Sequence, residues 1–165
     1  MRIKFFTTGG TIDKVYFDAK SKYEVGPPQV QEAIRSANVA FEYEIESILR
    51  KDSLDMNEED RQLIRGRVER EPSRLIVITH GTDTMVDTAR ALLGIPDKTI
   101  VLTGSMQPAR FWGSDAFFNI GAAIGAVQSL PPGVYISMHG KVFDPVRTRK
   151  NADKGRFEEI EPAKA

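Results

Sequence analysis

The sequence predicts an α/β domain: a mostly parallel sheet with helices on both faces. Three observations predict it. Short, mostly apolar runs recur at residues 3–6, 75–78, 99–103 and 133–138. Runs of that kind read as strands buried on both faces, as in parallel sheets. Helical patterns separate them, and several runs open directly into small polar residues. The resulting order of strand, helix, strand, helix is that of a layered α/β fold.

The elements follow in order. The first strand covers residues 3–7. A loop rich in Lys, Asp, Gly and Tyr runs from there to Pro28, and loops this long are uncommon unless functional or mobile. A short helix is expected at 29–36, after Pro27-Pro28. Phe41, Tyr43 and Ile45 alternate with Glu42, Glu44 and Glu46, the pattern of a half-buried strand. Asn57 is a good helix N-cap, and Glu58, Glu59 and Asp60 suit the positive end of the helix dipole. Asp55 reads as a second capping group. Leu63, Ile64 and Val68 form the expected buried face. A strand at 74–79 is followed by a helix at 84–93, stopped by Gly94 and Pro96. Strand 99–103 precedes a helix at 115–130, whose Gly and Ala content predicts close packing. A strand at 133–138 and a short one at 141–143 complete the sheet. The expected organisation is one domain over residues 1–150 and a charged, frayed tail over 151–165.

Composition bounds the function. The chain has 165 residues, 41% apolar and 28% charged, within the range of globular proteins. Its 23 basic and 23 acidic residues leave no net charge, which argues against a nucleic-acid footprint. It contains no cysteine, so thiolate nucleophiles and zinc–thiolate sites are excluded. No signal-peptide pattern opens the chain, and no apolar run approaches the roughly 18 residues of a membrane span. A cytoplasmic protein without membrane contact is expected. His80 and His139 lack metal-ligand spacing and read as hydrogen-bonded residues at strand ends. Neither a GxxxxGK(S/T) loop nor GxGxxG occurs. No cofactor or metal is expected.

Two stretches carry the chemistry: TTGGTID at residues 7–13 and THGTDTM at 79–85. Each begins where an apolar run ends, and in open α/β sheets the loops at the carboxyl ends of strands carry the ligand site. Together they would set two hydroxyls and the Asp83 carboxylate around one crevice. That combination suits a threonine nucleophile with activating partners. Thr11 is the best candidate, because it follows two glycines that let a substrate approach the backbone.

These stretches resemble the motifs of the asparaginase/glutaminase family of threonine amidohydrolases. DSLDMN at 52–57, LTGSMQP at 102–108 and SDAFFNI at 114–120 follow in the family's order. The resemblance implies a flavodoxin-like sheet and a single domain matching the family's N-terminal part, either a short-chain relative or a fragment. It implies that Thr11 is the nucleophile, that Tyr23 hydrogen-bonds it from a mobile loop, and that Thr82 and Asp83 work with a lysine. In Thr148-Arg149-Lys150 the family's Thr-Lys pattern is displaced by one residue, so Lys150 or, less readily, Arg149 takes that place. An arginine there could neutralise charge but could not serve as a base. Gly10, Gly81, Ser53, Leu54 and Ser105 would contact substrate, Ser53 through its α-carboxylate. Leu54 stands where the family often has a polar residue. Arg110, Phe111 and Trp112 read as core or subunit contact.

The function expected from the resemblance is hydrolysis of the L-asparagine side-chain amide. A non-catalytic amino-acid-binding or regulatory module and an amidase subunit of an amidotransferase assembly are the alternatives. The second domain that completes the family pocket has no counterpart in this chain. A homo-oligomer, at least a dimer, is therefore expected, with the contact formed by Phe117, Phe118, Ile120 and the Phe111-Trp112 pair.

Overall fold

The computed structural model describes residues 1–17 and 22–160. In chain order its elements are β1 (Arg2–Gly9), β2 (Lys14–Phe17), β3 (Lys22–Val25), α1 (Val30–Ser36) and β4 (Glu42–Lys51). There follow α2 (Glu58–Arg70), β5 (Leu75–Thr79), α3 (Met85–Ala91), β6 (Thr99–Thr103) and α4 (Ala116–Ser129). The chain continues with β7 (Gly133–Met138), β8 (Lys141–Phe143), β9 (Thr148–Asn151) and β10 (Arg156–Glu159).

The runs are mostly apolar because both sides of each central strand are covered. Ile3, Phe5, Val77 and Val101 meet α1 and α4, while Phe6, Ile76, Ile78, Ile100 and Leu102 belong to the core under α2 and α3. The sheet order is β4-β1-β5-β6-β7-β8. The first five strands are parallel and β8 is antiparallel to β7. Among the five, the chain visits positions 2-1-3-4-5, the flavodoxin-like order. Chain progression therefore reverses between β1 and β5.

Local chemistry explains the helix ends. Asn57 accepts from the Asp60 N–H (3.0 Å) and Asp60 returns a bond to the Asn57 N–H (3.1 Å), a reciprocal cap. Asp55 takes no part in that cap. In α2 the buried face is Ile64 and Val68, whereas Leu63 is exposed. Leu63 adjoins Ile64 in sequence, and adjacent helix positions lie about 100° apart, so both cannot face the same core. Lys4 is almost fully buried under the edge strand β4, where Glu44 (2.7 Å), Glu46 (2.9 Å) and Glu71 (3.4 Å) surround its ammonium.

Two further expectations are corrected. The segment expected as one loop up to Pro28 contains a hairpin: β2 pairs antiparallel with β3, with Lys14 opposite Val25 and Tyr16 opposite Tyr23. The segment after Asn151, expected to fray, forms β10 on β9. The cause is Phe157, which is 4% exposed and packs on Phe143 with ring centroids 6.3 Å apart. Residues 161–165 of that expected tail lie outside the described residues. Phe157→Ala should destabilise the chain by about 3–5 kcal/mol, the cost of truncating a buried phenylalanine. Urea unfolding would check this, and a loss below about 0.5 kcal/mol, the scale of ordinary surface substitutions, would mean the segment is not anchored.

Among the described residues no helix is long and apolar enough to cross a membrane, and no cluster of His, Cys, Asp or Glu could hold a metal ion.

Candidate active site

Both chemistry-bearing loops leave the sheet at the point where strand order reverses, TTGGTID from β1 and THGTDTM from β5. Ligands of open α/β sheets bind in the crevice at such a point. The glycines set how closely the loops approach. Gly10 has φ 91°, and a Cβ there would lie 2.4 Å from the Gly81 Cα. A Cβ on Gly81 would lie 2.5 Å from the Ser53 hydroxyl oxygen. The loops after β1, β4 and β5 therefore touch backbone to backbone, and no larger residue fits at Gly10 or Gly81. Further bonds fix the seam: Gly10 N–H to the Lys51 carbonyl (2.9 Å), Thr8 Oγ1 to the Thr79 carbonyl (3.0 Å) and Thr84 Oγ1 to the Ser53 carbonyl (2.8 Å). Thr11 and Thr82 each follow one of the two touching glycines.

The structure brings Lys150 to Thr82 and Asp83. Its Nζ lies 2.8 Å from Thr82 Oγ1 and 2.6 Å from Asp83 Oδ1. Arg149 points the other way, to Glu158 at 3.6 Å. The alternation of β9 separates the two side chains: Thr148 and Lys150 share the inward face, and Arg149 takes the outer one. An ammonium held by a carboxylate and a threonine hydroxyl can orient that hydroxyl and exchange a proton with it.

Thr11 opens a single 3₁₀ turn, Thr11–Asp13. With Lys14, Tyr23, Pro108 and Phe111 it lines a recess of about 230 Å³. The Tyr23 ring packs between Tyr16 (centroids 5.3 Å) and Phe111 (5.9 Å). Thr11 and Tyr23 share this recess without a hydrogen bond between them among the described residues. Ser53 Oγ is buried beside Gly81 and has no hydrogen-bond partner among the described residues. Ser105 is buried as well, but its hydroxyl donates to the Gln107 carbonyl of its own loop. Leu54 extends into solvent, with only its N–H engaged, by Asp52 at 3.1 Å. Arg110, Phe111 and Trp112 are all exposed rather than part of the core.

His80 behaves as the sequence suggests. Its Nδ1 lies 2.7 Å from the Gly81 carbonyl and its Nε2 2.8 Å from Thr88 Oγ1. A carbonyl can only accept, so Nδ1 carries the proton and Nε2 accepts from Thr88. Complete burial pushes the imidazole pKa down to about 4. His139 is held instead through its backbone N–H, by Asn119 Oδ1 at 3.1 Å.

Sequence reasoning missed two supporting sets. Asp115 accepts the N–H groups of Met106 (3.0 Å) and Gln107 (3.2 Å), and Asn119 donates to Asp115 (2.9 Å) and the Gly104 carbonyl (3.0 Å). They join the loops after β6 and β7. The available signal was an Asp and an Asn four residues apart at a helix start. The second set surrounds Asp13, a carboxylate inside a buried turn, for which periodicity offers no signal.

A flavodoxin-like domain with a Thr–Lys–Asp cluster and a second, glycine-framed threonine at its switch point is the class that the fold and these loops define. The chain belongs to the asparaginase family, whose N-terminal domain model matches residues 2–159. The thermostable L-asparaginase from Thermococcus kodakarensis superposes with a TM-score of 0.81 at 27% identity, covering 97% of this chain and 51% of that one. A probable cytoplasmic L-asparaginase from Campylobacter jejuni gives 0.77 at 28% identity, covering 90% and 49%. A glutamyl-tRNA(Gln) amidotransferase subunit from Methanococcus vannielii is 42% identical over 73 residues, 43% of this chain and 17% of that protein. The chain thus spans about half the length of these two solved structures, and its match to the amidotransferase protein covers a smaller share still.

Proposed function

We propose that this chain supplies the reacting groups of an amidohydrolase that converts L-asparagine to L-aspartate and ammonia. The observation that supports it best is the placement of Lys150 on Thr82 and Asp83, beside the loop of Thr11. In this reading Thr11 Oγ attacks the side-chain carbonyl carbon, with its proton taken up through the neighbouring hydroxyls. The carbon–nitrogen bond breaks as that proton is passed on to the nitrogen, which leaves as ammonia. Water, activated by Thr82 with Lys150 and Asp83, then hydrolyses the threonine ester and frees aspartate. Tyr23 covers Thr11, Ser53 and the backbone at Gly10 and Gly81 receive the substrate's polar ends, and Asp83 meets its ammonium. Family membership supports the reaction class, and the L-asparaginase neighbours support the substrate. A coupled ammonia assay over asparagine, glutamine and other amides tests it. Release from asparagine is expected, and release from none would leave a binding module.

A second reading has its own support in the amidotransferase relative: the same chemistry supplying ammonia to a partner enzyme. Glutamine preferred over asparagine, together with co-purification of a partner chain, would favour it.

The reading includes assembly with a second copy. Phe111, Trp112, Phe117 and Phe118 are exposed, and a Cβ on Gly121 or Gly125 of α4 would meet nothing within 4 Å. Ile120, expected at that surface, is in the core instead. The alanines of α4 do the close packing, with Ala116 and Ala123 against the sheet, while its glycines face outward. Light scattering is expected to show a particle at least twice the 18.4 kDa chain mass. An active monomer would overturn this part.

A further inference from the structure

We infer that Asp13 is a positioning residue for this reaction: its buried carboxyl group ties the outgoing root of the hairpin β2–β3 to the start of α1, just past the returning root, and so holds Tyr23 beside Thr11. The inference rests on the reading of Thr11 and Tyr23 given above. Asp13 closes the turn that Thr11 opens, with its N–H on the Gly10 carbonyl at 3.1 Å. Strand β2 departs at the next residue, Lys14. The chain returns through β3 to Val25, and Gly26 donates its N–H to the Asp13 carbonyl at 2.7 Å. Three residues further on, the Gln29 N–H donates to Asp13 Oδ1 at 2.8 Å. One residue thus contacts the outgoing root, the returning root and the start of α1.

The surroundings show that this tie is the interior one. Asp13 is 2% exposed. The ion pair at this root, Lys14 to Asp52 at 2.6 Å, is partly open to solvent, where such pairs contribute little. Gln29 is itself fixed, with its side-chain N–H₂ on the Pro27 carbonyl (2.8 Å) and its Oε1 accepting from Arg110 (3.4 Å). Burial pushes the Asp13 carboxyl up to about 7, against the opposing pull of the Gln29 N–H and of Arg50 on β4. Desolvation therefore outweighs both. A carboxyl group on one hairpin root that is buried and bonded to the backbone of the following helix start sets geometry rather than meeting substrate.

Four variants of the full chain test this. Asp13→Asn keeps an acceptor oxygen and removes the charge; Asp13→Ala removes both. Gln29→Pro deletes the N–H that the Asp13 carboxyl accepts, at a helix start where proline is tolerated. Gln29→Ala controls for the lost side chain. Asp13→Ala and Gln29→Pro should lower kcat about tenfold or more, as misplacement of reacting groups does, with KM much less changed. Asp13→Asn should restore kcat to within about threefold and flatten any inflection near pH 7 in kcat/KM. Gln29→Ala should stay near wild type. Backbone hydrogen exchange is read on the same proteins, and the amides of β2 and β3 should exchange faster in Asp13→Ala and Gln29→Pro. If wild type releases ammonia, Thr11→Val does not, and Asp13→Ala and Gln29→Pro keep wild-type kcat, the inference falls while the reaction stands. If wild type releases none, the reaction reading falls, and unchanged exchange in β2 and β3 would remove the tie as well. Should Asp13→Ala not fold, Gln29→Pro and Asp13→Asn decide.

Discussion

Thr11→Val is expected to reduce ammonia release from L-asparagine to below about one hundredth of wild type, because an amide hydrolase without its nucleophile retains only binding and electrostatic assistance. Valine keeps the volume and β-branching of threonine and removes only the hydroxyl. The surrounding backbone does not depend on that hydroxyl: the turn is held by the Asp13 N–H on the Gly10 carbonyl and by the Ala109 N–H on the Ile12 carbonyl, both at 3.1 Å. The variant should therefore unfold at the wild-type temperature and show the wild-type circular dichroism. Rapid quench and intact-mass measurement should find a substrate-derived ester on wild type and none on Thr11→Val. Activity above one hundredth in a correctly folded variant would remove Thr11 from the role of nucleophile.

Lys150→Met should cost about a hundredfold or more in kcat, the usual effect of deleting a placed proton-transfer group. Methionine keeps an unbranched side chain of similar length but leaves Asp83 without its cation and Thr82 without its hydrogen-bond donor. Arg149→Met should stay within about threefold, because an exposed arginine paired with Glu158 contributes little. Side-by-side ammonia assays measure the ratio. Equal, mild losses would mean that the Thr82–Lys150–Asp83 contacts serve only to hold the fold, and would favour a binding module.

The choice between Lys150 and Arg149 shows how legible the site was. Motif spacing left both open, since the displacement by one residue is a matter of counting. Strand geometry separates their side chains: in β9 the buried Thr148 and half-buried Lys150 lie on one face. That argument was available from the sequence only if residues 148–151 were recognised as a strand, and Thr-Arg-Lys-Asn carries no apolar signal. The same weakness hid β10, where Phe157 is the single buried residue among Arg156, Glu158 and Glu159. It also hid the hairpin β2–β3, which pairs within itself outside the main sheet. The central strands were legible for the opposite reason, because burial on both faces keeps their runs mostly apolar, with Lys4 of β1 an ion-paired exception. Asp13 was invisible because its function depends on Gly26 and Gln29, brought near by the hairpin.

Asp13 and His80 both lie in the loops at the switch point, and their displacements oppose each other. In the folded chain Asp13 keeps its proton up to about pH 7, against an ordinary 3.8; His80 stays unprotonated down to about pH 4, against an ordinary 6.5. Alone, His80 would make stability fall as pH drops below 6.5, because the unfolded chain binds the extra proton. Alone, Asp13 would make stability fall as pH rises from 3.8 to 7, because there the folded chain binds it. Between about pH 4 and 6.5 the two contributions have equal and opposite slopes. Folding in that window moves one proton equivalent from an imidazole to a carboxylate and exchanges none with solvent. The two burials in the switch-point loops thus offset each other, and mild acidification changes their joint contribution to stability little.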